Sequence, residues 1–90
     1  MPTDRLAALE MMVSRAPGDP FPYYCLAQEY RSRGRHDEAV TAFEALRGRF
    51  PAYVPQYLMA GQLLQELGRV ADARAWYAAG IDAARAARDG

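Results

Sequence analysis

Stacked helical hairpins are the fold this sequence predicts, an all-α chain of about five antiparallel helices, and three observations carry it. An internal spacing of 34 residues brings Gly34-Arg35 back as Gly68-Arg69, Tyr23 as Tyr57, Gln28 as Gln62 and Ala39 as Ala73. Pro and Gly divide the chain into segments of helical length. Nowhere do apolar and polar residues alternate as they would in a half-buried strand. A fixed period of this size marks supersecondary units that bury their apolar faces against neighbours.

The period sets a leading helix over 3–16, a first repeat over 20–53 and a second over 54–90, within one domain spanning 1–90. Thr3 is the expected N-cap of the leading helix, Asp4 suits its positive end, and Leu6, Leu9, Met12 and Val13 make one apolar face. Asp19 caps the second helix, where Pro20 and Pro22 cost little because first-turn N–H groups have no helical partner. Tyr23, Leu26, Ala27 and Tyr30 then run at helical spacing to Gly34, a left-handed C-terminal residue. The third helix begins near Asp37, carries Ala39, Val40, Phe43 and Leu46, and ends at Phe50-Pro51. Pro55 opens the fourth, which carries Tyr57, Ala60, Gly61 and Leu64 to Gly68. The fifth runs from about Val70 to the C-terminus through Ala73, Trp76, Tyr77, Gly80, Ile81 and Ala84. Small residues at 27, 39, 61 and 73 let facing backbones approach closely.

In this register the residues resemble the tetratricopeptide repeat, whose front helix carries an aromatic, Leu-Gly and Tyr, and whose back helix carries Ala, Phe and a closing Pro. The first repeat reads Tyr23, Leu26, Ala27, Tyr30, Ala39, Phe43 and Pro51; the second reads Tyr57, Ala60, Gly61, Leu64, Ala73 and Tyr77. Arg85 stands where the second closing Pro would fall, so the last helix is expected to continue past its usual stop. The match is strong over 20–84 and weaker over 3–17, where Leu9 and Pro17 keep register but Arg5 occupies an Ala position. The resemblance implies a right-handed α-solenoid whose front helices line a concave groove, here Phe21, Tyr24, Gln28 and Arg31, then Leu58, Gln62, Gln65 and Glu66. It implies a non-catalytic module for a peptide or protein partner, with no cofactor. Family members that grip a chaperone-tail carboxylate use Lys and Asn at two front positions; Tyr24 and Gln28 stand there, so that clamp is absent.

Composition narrows the classes further. Eleven basic and eleven acidic residues cancel, which removes the electrostatic footprint of a nucleic-acid binder. Every basic residue is Arg and Ala is abundant, the bias of a GC-rich bacterial genome. The N-terminus lacks the pattern of a signal peptide and no apolar run is long enough to span a membrane, so a cytoplasmic home is expected. Cys25 is the one cysteine, and nothing in the sequence around it would lower its pKa. His36-Asp37-Glu38 lacks a second ligand at metal spacing and is better read as a helix start whose carboxylates face the dipole. Arg31, Arg33 and Arg35 lie beside these carboxylates as a self-neutralising face. No catalytic, cofactor or metal residue is assigned.

The ends raise a second possibility. A stack of two and a half repeats leaves the outer face of the last helix without a following unit. That face is Ala-rich, and Trp76, Ala79, Ala83 and Ala87 are the expected self-association residues of a homo-oligomeric scaffold. The sequence therefore supports an interaction module first and a self-assembling scaffold as the alternative.

Overall fold

The computed structural model describes residues 4–89. Five α-helices follow one another: α1 (Arg5–Arg15), α2 (Pro20–Ser32), α3 (His36–Arg49), α4 (Pro55–Glu66) and α5 (Val70–Asp89). The described residues contain no strand. Two compact units form, Met1–Leu46 and Arg47–Gly90. The sequence register divides at 53/54, the junction of two hairpins, whereas the boundary between the units falls inside α3.

Helix ends follow from side-chain chemistry. Asp4 rather than Thr3 caps α1, accepting from the Leu6 amide at 3.1 Å; Thr3 lies outside the described residues. Asp19 caps α2 through the Phe21 amide at 3.0 Å, as its position before Pro20 predicts. Gly34 and Gly68 close α2 and α4 at φ +74° and +77°, a region that a Cβ disfavours. The same pair of bonds satisfies the last carbonyls in both repeats. Arg35 N donates to Tyr30 O and Gly34 N to Arg31 O, while Arg69 N donates to Leu64 O and Gly68 N to Gln65 O. Tyr23 and Tyr57 repeat a further bond, each hydroxyl donating to the carbonyl of a proline six residues earlier, Pro17 and Pro51.

In the first unit Leu6 and Leu9 bury against the α2 side, and Ala27 and Ala39 are fully buried. Met12 does not share the α1 core face: it is 48% exposed, because its spacing from Leu6 and Leu9 carries it round to the solvent edge. Arg5, at a position where the repeat favours Ala, instead pairs with Glu29 at 2.9 Å, and Arg33 reaches Glu29 at 2.9 Å and Asp4 at 2.7 Å. Exposed ion pairs of this kind contribute about 0–1 kcal/mol each. Burying each leucine contributes roughly 1.5–3 kcal/mol, so packing holds α1 and the charges orient it.

Arg33's hydrogen bond, then the Leu6 amide, holds the Asp4 carboxyl below the usual carboxylate range. A depressed pKa contributes stability above the unfolded value, lost as pH falls through the folded one. The protection of the first-turn amides of α1, taken relative to the intrinsic exchange rate at each pH, is therefore expected to fall on acidification below the ordinary aspartate pKa. The Asp4→Asn variant should exchange faster at neutral pH and lose that acid dependence.

In the second unit, Tyr57, Ala60, Gly61 and Leu64 face inward as expected, together with Leu63 and Gln56. Gln56 is fully buried, donating from Nε2 to Phe50 O at 2.8 Å. Two glycines leave room for the side chains that face them between α4 and α5. A Cβ on Gly61 would lie 2.4 Å from the Tyr77 ring, and one on Gly80 would lie 2.6 Å from Tyr57 Cβ.

Candidate protein-interaction surfaces

Three surfaces follow from these elements, one in the first unit and two in the second. On α2 the front-face residues recur every three or four positions. Phe21 is 55% exposed and stacks on Tyr24, with ring centroids 6.4 Å apart. The half-buried Tyr24 ring meets Phe43 edge-on at 6.4 Å, so the exposed ring is braced by a core aromatic. One turn on, Gln28 Nε2 donates to the Tyr24 hydroxyl at 3.4 Å, while its Oε1 is buried without a hydrogen bond. Arg31 continues the stripe, half-buried.

The four front-face residues expected on α4 separate into two environments. Gln62, Gln65 and Glu66 line a shallow polar depression of about 300 Å³. Gln65 is held there, accepting from the Tyr77 hydroxyl at 3.0 Å. Leu58 belongs elsewhere. It is 52% exposed and lines an open apolar groove of about 350 Å³ with Val54 on its own side and Gly80, Ile81 and Ala84 on α5. Tyr57 and Tyr77 complete the groove.

The residues expected for self-association are redistributed. Trp76 is 8% exposed, packed against the Tyr57 ring at 5.8 Å and beneath the Arg47 guanidinium at 4.9 Å. It is a core residue, since positions 73, 76 and 80 turn one side of α5 toward α4. Ala79 and Ala83 are half-buried and Ala87 is exposed. The large apolar residues that α5 exposes are instead Val70, at 53%, and Ile81, at 55%. The register could have found this groove: Tyr77 and Gly80 stand 34 residues after Phe43 and Leu46, which are buried to 1% and 0% exposure.

Other polar residues have structural partners. Arg35 makes two 2.7 Å bonds to Glu38, and this guanidinium holds the Glu38 carboxyl below its usual range. With Arg33 paired as well, two of the three clustered arginines are neutralised locally. Burial raises the Cys25 thiol pKa, the direction opposite to an activated nucleophile. Among the described residues no group of three or more His, Cys, Asp or Glu is placed to hold a metal ion, and no helix is long and apolar enough to cross a membrane.

Tandem helical hairpins closed by left-handed glycines define an α-helical repeat protein of the kind that presents helix faces to partners. The chain belongs to the tetratricopeptide repeat family, whose sequence model matches residues 30–88. A solution structure of a tetratricopeptide repeat domain protein from Salinibacter ruber is similar at a TM-score of 0.72, with 42% identity, over 77% of this chain and 70% of that one. A crystal structure of a tetratricopeptide repeat domain protein from the same organism gives 0.69 and 42% identity, over 74% of each chain. The mRNA 3′-end-processing protein rna14 of Schizosaccharomyces pombe is 34% identical over 56 residues, 62% of this chain. The chain spans only 8% of that relative's length.

Proposed function

We propose that this chain is a non-catalytic protein-binding module whose α2 front face takes a segment of another protein. The Phe21–Tyr24–Gln28 stripe carries the reading. An exposed aromatic braced on a half-buried one offers large contact area with little entropy left to lose. Beside it, Gln28 extends the stripe, its Nε2 holding the Tyr24 hydroxyl at 3.4 Å. Gln62, Gln65 and Glu66 supply a second polar surface suited to hydrogen bonding more than to apolar anchoring.

Phe21→Ala is the clean test, because Phe21 projects into solvent whereas Tyr24 also supports Phe43. Affinity capture with wild-type protein should retain a partner that Phe21→Ala loses, at unchanged helicity and melting temperature. Loss of an anchor of this type weakens binding by about 2 kcal/mol or more, roughly 30-fold. Equal recovery of every captured protein by wild type and variant would remove this face from the binding surface.

A further inference from the structure

We propose that the apolar groove of the second unit docks an amphipathic helix carrying acidic residues beside its apolar stripe. This rests on the chain being a protein-binding module but uses a surface other than the α2 front face. Leu58 and Ile81 stand on either side of the groove, each more than half exposed, above Tyr57, Gly80 and Ala84. Two of the lining residues, Tyr77 and Gly80, stand 34 residues after the buried Phe43 and Leu46, and here the apolar surface they help to form stays open.

The lining decides the conformation of the occupant. It is almost wholly apolar side chain, with no strand among the described residues to pair an extended backbone. An extended segment would leave N–H and C=O groups unpaired against it, whereas a helix satisfies its own. Apolar residues at i, i+3 or i+4 then enter the groove between two helices.

Charge decides its composition. Arg74, Ile81, Arg85 and Arg88 follow at spacings of seven, four and three residues, a stripe that runs through Ile81 at the outer edge of the groove. All three arginines are exposed, and among the described residues none has an ion-pair partner. By contrast Arg33, Arg35 and Arg69 are each paired. The nearby acids, Asp82 and Asp89, lie about 80–100° further round α5 from Ile81, away from the groove. A basic rim beside an apolar floor complements glutamates flanking a leucine stripe.

The test uses a fluorescent synthetic peptide with leucines at i, i+3, i+4 and i+7 and glutamates beside them, and a twin with lysines in place of the glutamates. At low salt the glutamate peptide should bind ~10-fold tighter, the gain of a few exposed ion pairs, and high salt should erase the difference. Ile81→Asp should abolish binding of both peptides. Arg85→Glu with Arg88→Glu should reverse the preference, and both variants should keep the wild-type Trp76 fluorescence. Phe21→Ala should leave peptide affinity unchanged, which separates this surface from the α2 face. Equal binding of the two peptides, no binding, or a preference that survives the charge reversal would overturn the proposal. So would light scattering that shows a dimer split by Ile81→Asp, which would give the groove to a second copy.

Discussion

Replacing Gly80 by Val should destabilise the second unit by roughly 1–3 kcal/mol, the cost of overpacking a formed helix contact. A glycine inside a helix ordinarily weakens it by roughly 0.5–1 kcal/mol relative to Ala, so Gly→Ala is usually a gain. Gly48, on α3, has nothing within 4 Å of an added Cβ and should show that gain. At Gly80 the added Cβ would lie 2.6 Å from Tyr57 Cβ and 3.3 Å from Cγ. Those atoms sit next to the α4 backbone and cannot swing aside. Gly61 is tighter on paper, 2.4 Å from the Tyr77 ring, but that ring is half-exposed and can rotate away. Its rotation gives up the bond to Gln65, a net loss of about 0.5–1.5 kcal/mol. Urea denaturation should therefore rank Gly80→Val as most damaging, Gly80→Ala next and Gly61→Ala least, with Gly48→Ala above wild type. Equal gains for Gly80→Ala and Gly48→Ala would show that α4 and α5 can separate at no cost.

These two close approaches show what was legible in the sequence and what was not. Punctuation and period gave five helices because capping and left-handed turns are local: Asp19, Gly34 and Gly68 act through bonds within a few residues. Small residues at 27, 39, 61 and 73 are buried as expected, since the repeat fixes which side of each helix faces inward. The rotational placement along α5 was less visible. Trp76 and Ile81 are five residues apart, about 140° round the helix, so no pattern of apolar residues could put both on one side. Ala-rich α5 offers few large residues to break that ambiguity, and the sequence reading put Trp76 on the outer face. Gln56 was missed because a buried amide is recognisable only once Phe50 O is found beside it. Leu58 shares a repeat position with Tyr24, yet Tyr24 lies against Phe43 whereas Leu58 opens onto a groove; the register fixes position, not cover.

Trp76→Ala should cost about 3–5 kcal/mol, a large part of the 5–15 kcal/mol that holds a typical domain. The indole is nearly buried and occupies the space between α5, Tyr57 and Arg47, which a methyl group cannot fill. Trp76→Arg should be worse still, because the new charge would enter a place already occupied by a cation. Arg47 lies 4.9 Å from the Trp76 ring centroid and 5.5 Å from that of Tyr57, one guanidinium shared by two π-faces. Such contacts contribute about 0.5–2 kcal/mol where the cation is partly desolvated, and Arg47 is half-buried. Arg47→Met separates the causes, since it keeps the apolar stem and removes the charge. If the cation matters, Arg47→Met should lose stability in wild type but not in Trp76→Leu with Tyr57→Leu, where no π-face remains. Circular dichroism supplies the readout, because Trp76 is the only tryptophan. A coupling near zero would reduce Arg47 to a covering methylene chain, and a coupling of about 1 kcal/mol would make it the clamp that holds Trp76 inside.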